Sequence, residues 1–431
     1  MNITSFSHRQ SKVTLHFLKA DGSPLTGQKV QINQKRHQFL FGCGGFDAVE
    51  LAGGNPDGTP LNEKRREFLE DRLDKIFTFN NYTTLPFYWG RYENVEGKPD
   101  ALRTHAAAKY YADRGIIIKG HPLCWHTVCA DWLMKYSNKE ILEKQLARIE
   151  REVTAFKGSI DKWDVINEVV IMPIFDKYDN AVTRLCRELG QVGIIREVFA
   201  AARKANGGAV LLLNDFNTSP DYEKLIDSCL QAGIPIDVIG IQSHQHQGYW
   251  GLEKLQDVLA RFSRFGLPIH FTENTLISGD LMPAYIEDLN DWKVDTWPST
   301  PEGEERQARE AVEMYETLFA HPAVEAITTW DAVDGKWLGA PSGFLRKDNS
   351  PKPVYHELNK RIKDEWWTKE SLVTGSDGAV ELCGFRGDYT AEANGCKADF
   401  TLDGKTEELK IILKNYALRI LPQRTPRNTK E

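Results

Sequence analysis

The chain has 431 residues, of which 41% are hydrophobic and 27% charged, and its formal net charge is -7. At that length and balance a globular fold buries a sufficient core without disulfides or a structural metal. The acidic surplus and the lack of a long basic run argue against nucleic acid, and against an anionic membrane surface, as partners.

Residues 10–36 alternate in strand fashion. Val13, Leu15 and Phe17 share one face, Val30 and Ile32 lie on a second strand, and Asp21-Gly22-Ser23-Pro24 between them is turn chemistry. This predicts an N-terminal β-ribbon, residues 1–37. From Phe39 the rhythm changes. Short apolar strands are predicted at 39–44, from 77, and at 116–121, 162–168, 209–215, 238–242, 268–273 and 326–331. Helical patterns separate them at 61–76, 101–114, 138–156, 185–205, 221–232, 251–265 and 304–320, with a closing helix at 354–362. Such alternation predicts an α/β fold, a (β/α)8 TIM barrel over 38–367, with a doubly wound sheet as the alternative. A long polar loop, 277–303, follows the seventh strand. After about residue 368 the pattern returns to short strands. Turns at Asp377-Gly378, Asn394-Gly395 and Asp403-Gly404 mark a small C-terminal β-module, 368–431, in a position to pack with the N-terminal ribbon.

Seven cysteines, at 43, 124, 129, 186, 229, 383 and 396, are odd in number and scattered, which argues against a disulfide framework and against a zinc site. Cys383 and Cys396 could pair across a small C-terminal sheet, but free thiols are the expectation. The first residues, MNITSFSHRQSK, hold no apolar signal core, and no apolar run reaches membrane-spanning length. As given, the chain is expected to be cytoplasmic; the alternative is a secreted protein whose signal peptide has been removed.

The polar residues at the predicted strand ends carry the chemistry. Strand three ends in His121, followed by Trp125 and His126. Strand four ends in Asn167-Glu168, strand six in Gln242 and His244, strand seven in Glu273 and strand eight in Trp330-Asp331. In an α/β barrel all of these open on one face. Glu168 and Glu273 thus face one cleft among indoles and amides. Glycosidic cleavage needs such a pair, one carboxyl to protonate the leaving oxygen and one to attack the anomeric carbon or activate water. Two neighbouring carboxylates resist ionising together, so their pKa values should split, with the acid raised. Trp rings offer flat faces to sugar C–H surfaces. A barrel metal hydrolase, suggested by His244-Gln245-His246 with His121, lacks the strand-one His-X-His of such sites. No metal or cofactor is therefore expected.

Gly120-His121-Pro122-Leu123-Cys124-Trp125-His126 resembles the third-strand motif of the glycoside hydrolase family 10 xylanases. Trp163-Asp164-Val165-Ile166-Asn167-Glu168 is similar to that family's acid/base strand, Gln242-Ser243-His244 to its sixth-strand motif, and Thr272-Glu273 to its nucleophile strand. Trp330 with Asp334 and Trp337 resembles its eighth-strand aromatic loop. The motifs run in the expected order across residues 38–362. The resemblance implies a retaining, endo-acting β-glycoside hydrolase cleaving xylan or xylo-oligosaccharides by double displacement. Glu168 would be the acid/base and Glu273 the nucleophile. Asn167 would hold the sugar 2-hydroxyl, and Gln242 and His244 the nucleophile and sugar. His121, Trp125, Trp330 and Trp337 would line the glycone side.

The departures concern specificity. Where the family has a Glu-Asn pair and a Lys before the strand-two Trp, this chain has Thr83-Thr84-Leu85-Pro86-Phe87-Tyr88-Trp89. Tyr88 is either a wall of the glycone site or a structural ring, and the distal glycone site is more apolar and lacks a cation. Thr275 replaces the Asp two residues past the nucleophile, so His244 is expected to lack the carboxylate partner usual in the family. These changes favour a second reading, a retaining β-glycosidase acting on another β-glycan or on a non-sugar aglycone. A third, a non-catalytic carbohydrate-binding barrel, leaves both Glu168 and Glu273 unexplained. His126, Trp89, Trp132 and Trp163 are expected to be packing residues.

Overall fold

Trp163, Val165 and Ile166 in one strand, and Leu211, Leu212 and Leu213 in the next, are all fully buried. Strands apolar on both faces suit the interior of a parallel sheet covered by helices. In the computed structural model, which describes residues 6–415, eight strands close into a barrel. They are β1 (Leu40–Gly44), β2 (Tyr82–Pro86), β3 (Ile117–His121), β4 (Lys162–Asn167), β5 (Val210–Asp215), β6 (Val238–Ile241), β7 (Ile269–Leu276) and β8 (Val324–Thr329). Neighbours pair in parallel, and β8 pairs with both β7 and β1. The sheet therefore has no edge within this circuit, which separates a (β/α)8 barrel from the open doubly wound alternative.

The helices follow local chemistry. The helix Asn138–Ala155 begins at a capping box in which the Ser137 and Glu140 side chains each bond the other's backbone N–H, and it buries Ile141, Ile149 and Val153. Two expected elements differ. The helix predicted over 185–205 is two helices, Ala181–Leu189 and Gln191–Ala205. Gly190 between them takes φ 73 and returns its N–H to Cys186 O, a left-handed stop that glycine makes easily. The strand predicted to begin at Phe77 begins at Tyr82 instead. Phe77 still donates its N–H to Leu73 O, and the Asn80 amide bonds Ile76 O, so these residues finish the preceding helix.

Among the described residues, 40–363 make up this unit, and 6–39 with 364–415 make a second. In the second unit the two N-terminal strands do not form a ribbon with each other. Gln10–Leu18 lies between Ala379–Phe385 and Glu408–Ile412 in one sheet, and Lys29–His37 lies between Lys369–Val373 and Gly387–Ala393 in another. Their apolar faces meet in one core containing Val13, Leu15, Phe17, Val30, Ile32 and Tyr389. Gly387–Ala393 and Cys396–Leu402 form a hairpin whose two-residue turn, Asn394-Gly395, has φ 52 and 74, the geometry the Asn-Gly pair predicts. Trp366 and Trp367 pack within this unit, against Phe6 and His37. Cys383 carries a free, exposed thiol. No helix among the described residues is long and apolar enough to cross a membrane.

Candidate active site

The C-terminal ends of β3 to β8 bring the predicted residues to one mouth. Glu168 follows the last residue of β4 in a left-handed conformation, φ 59, and Ser243, between Gln242 and His244, has φ 55. Non-glycine residues rarely adopt this backbone, and here it turns two strand ends at the cleft. Glu168 Oε2 accepts a hydrogen bond from Trp125 Nε1 at 2.9 Å, and Oε1 accepts from Gln242 Nε2 at 3.0 Å and Asn167 Nδ2 at 3.1 Å. All three donors are neutral. Burial therefore dominates and pushes the Glu168 pKa up to about 8, against the pull of these hydrogen bonds and with added repulsion from Glu273.

Glu273, on β7 and 3% exposed, has the opposite surroundings. Its Oε2 lies 3.2 Å from His244 Nε2, and its Oε1 accepts from Asn214 Nδ2 at 2.7 Å and lies 3.9 Å from His121 Nδ1. Burial works to raise its pKa, but His121, His244 and the Lys119 charge outweigh it and hold the carboxyl below the ordinary range. Beneath it, His121 Nδ1 is 2.7 Å from Asp164 Oδ2, which pairs with Lys119 Nζ at 2.6 Å; all three side chains are buried. His121, Asp164 and Glu273 bring ligand-type atoms within 4.8 Å of one another. The Lys119 ammonium already neutralises the Asp164 oxygen that a metal would need.

Asn214, at the end of β5, escaped the sequence reading, although that strand also ends in a polar pair, Asn214-Asp215. Its Nδ2 bridges Glu273 Oε1 and Asn167 Oδ1, at 2.7 and 2.8 Å, and its Oδ1 accepts from Thr272 Oγ1. It ties the β4 amide to the β7 carboxylate. Asn214→Ala is expected to lower kcat/KM about 10–100-fold, the value of one hydrogen bond to a charged group, with the fold intact by circular dichroism. A loss under twofold would show that Asn214 does not position Glu273.

The remaining predicted residues sit around this pair. Trp330 is edge-on to His121 with centroids 5.2 Å apart, and Trp337 lies 4.6 Å from His244. Tyr88 packs against His121 and Trp125, both at 5.6 Å, whereas Thr84 and Leu85 are fully buried. His244 Nδ1 has no protein partner among the described residues; Thr275 turns instead to the Gln245 N–H and His246. Asp331 follows β8 by two residues. It is 8% exposed and accepts the Trp337 N–H at 2.9 Å, which shapes the β8 loop. His126 packs on Phe175, and burial lowers its pKa to about 4, so it is a neutral core histidine. The 277–303 loop folds on Ile277, Met282 and Trp297, and Lys177 from the β4 loop pairs with its Asp288 and Asp291.

The sequence profile of glycosyl hydrolase family 10 matches residues 59–361, more than half of the chain. The chain belongs to glycosyl hydrolase family 10. An endo-1,4-beta-xylanase/feruloyl esterase from Xylanibacter ruminicola is 27% identical over 285 residues, 57% of this chain and 36% of that protein. Endo-1,4-beta-xylanase A from Caldicellulosiruptor saccharolyticus is 27% identical over 64% of this chain and 81% of its own length. The family 10 chain thus spans about a third of the first relative and most of the second. Among solved structures, xylanase 10B from Thermotoga petrophila in complex with xylobiose superposes with a TM-score of 0.59 at 18% identity, covering 76% of this chain and 95% of that one. At that identity the likeness supports the barrel fold.

Proposed function

We propose that this family 10 chain is a retaining β-glycoside hydrolase, with Glu168 as acid/base and Glu273 as nucleophile. The observation that carries this reading is the split between the two carboxyls, one among neutral donors and one beside His121 and His244. At neutral pH the first holds a proton and the second a charge, the division of labour that double displacement needs. Glu168 protonates the glycosidic oxygen while a Glu273 oxygen attacks the anomeric carbon. The C–O bond to the leaving group breaks and a glycosyl ester forms with inverted configuration. Glu168, now ionised, takes a proton from an entering water. That water displaces Glu273 with a second inversion, so the net outcome is retention. The names of the relatives make β-1,4-linked xylose chains the first substrate class to test.

The pH dependence follows with a fixed sign. Activity needs Glu168 protonated, so kcat/KM should hold through neutrality and fall as pH rises past about 8. The acidic limb, set by Glu273, should lie below the ordinary carboxylate range. A pH profile on an aryl β-glycoside checks both, and a basic limb near that of an ordinary carboxylic acid would contradict the assignment of Glu168.

A further inference from the structure

Four aromatic rings from four different strand ends touch in a closed circuit. Phe46, just after β1, lies 6.3 Å from Tyr88 after β2; Tyr88 lies 5.6 Å from His121 of β3; His121 lies 5.2 Å from Trp330 after β8; and Trp330 lies 5.5 Å from Phe46. Every interplanar angle in the circuit is between 72° and 89°, edge against face throughout. These are direct ring–ring contacts. A pyranose held between two aromatic walls needs van der Waals spacing on each side, which puts the walls about 7–8 Å apart. None of the four contacts leaves that space, so on this side the rings fill the mouth and do not line an open subsite.

The backbone fixes the plug in place. Gly44 donates its N–H to Trp330 O at 3.2 Å, and a Cβ on Gly44 would stand 2.4 Å from that oxygen. A Cβ on Gly45 would stand 2.0 Å from Thr83 Oγ1. The Gly44-Gly45 pair thus lets the β1 loop run hard against β8 and β2 and delivers Phe46 to the gap between Trp330 and Tyr88. Burial raises the Tyr88 pKa, and the ring lies near enough to the reacting pair that the Glu273 and Glu168 charges add to that rise, so the circuit stands directly beside the carboxyls. On the glycone side, where the family resemblance places His121, Trp125 and Trp330, its rings occupy the space along which a glycone chain would extend.

We infer that Phe46 and Tyr88 close the glycone end of the cleft, so that the enzyme accepts one glycone sugar and works from the non-reducing chain end of short β-linked oligosaccharides or on β-monoglycosides. This rests on the glycosidase reading above, and it sets aside attack on internal bonds of a polymer.

The test compares nitrophenyl β-xyloside, nitrophenyl β-xylobioside and end-reduced xylohexaose, with products followed from the first turnovers. The wild type is expected to cleave the monoxyloside. It should release xylose, with no early intact xylobiose, from the two longer substrates. Phe46→Ala/Tyr88→Ala is expected to shift the kcat/KM ratio of bioside to monoside at least tenfold toward the bioside and to release intact xylobiose. Early intact xylobiose from the wild type, or early mid-length products from xylohexaose, would overturn the plug and leave the glycosidase reading standing. A folded double variant with an unchanged ratio would overturn it as well. If the variant does not fold, the wild-type product pattern decides alone. Failure to cleave any of the three, or their glucose counterparts, would withdraw the glycosidase reading and the plug with it.

Discussion

Glu273→Ala should abolish turnover on every substrate, activated aryl glycosides included, with a fall in kcat of roughly a millionfold, the scale seen when a covalent nucleophile is removed. The expected loss is this large because no neighbour can replace the attacking oxygen. His121 and His244 both point at Glu273, and Asn214 is an amide. Added azide should enter the vacated space and give a glycosyl azide of inverted configuration. A residual rate within a hundredfold of wild type would move the attacking group elsewhere.

Glu168→Ala should behave differently, and the difference identifies its role. With leaving groups of high pKa the loss should be about 10²–10⁴-fold, the usual contribution of a general acid. With a dinitrophenyl leaving group, which departs without a proton, bond cleavage should be nearly unaffected. Deglycosylation then becomes limiting, and azide should restore it with retained configuration. The basic limb of the pH profile should disappear. Equal losses on both substrate types would remove Glu168 from the acid/base role.

The barrel was legible because each strand is a short run buried on both faces and most helices carry their own start and stop signals. The Ser137-Glu140 cap is a local feature that neighbours rarely override. The helix break at Gly190 and the late start of β2 were less legible. A Gly inside a helical pattern can be tolerated or can end it, and the phenylalanines at 77 and 79 fit a helix end as well as a strand. The two sheets of the second unit join strands from opposite ends of the chain, and local periodicity carries no pairing information over that distance.

At the site, residues at strand tips could be read from position alone, which brought Glu168, Glu273, Gln242 and His244 forward. Asn214 obeys the same rule and was passed over. Lys119 and Asp164 had a signal of another kind: each is a charge inside an otherwise apolar strand, and such charges are buried only with partners. Phe46 had none. Its place in the ring circuit depends on how closely the β1 loop approaches β8, which only the folded backbone displays.

The most direct measurement of the central claim is trapping with an activated fluoroglycoside, followed by peptide mapping. A fluorine on the sugar carbon next to the anomeric centre slows both steps, and a good leaving group lets only the first proceed. The wild type treated with dinitrophenyl fluoroxyloside is predicted to gain one fluoroxylosyl unit on the peptide holding Glu273, and Glu273→Ala to gain none. A label on any other carboxyl, or no label under conditions where nitrophenyl β-xyloside is hydrolysed, would contradict double displacement through Glu273.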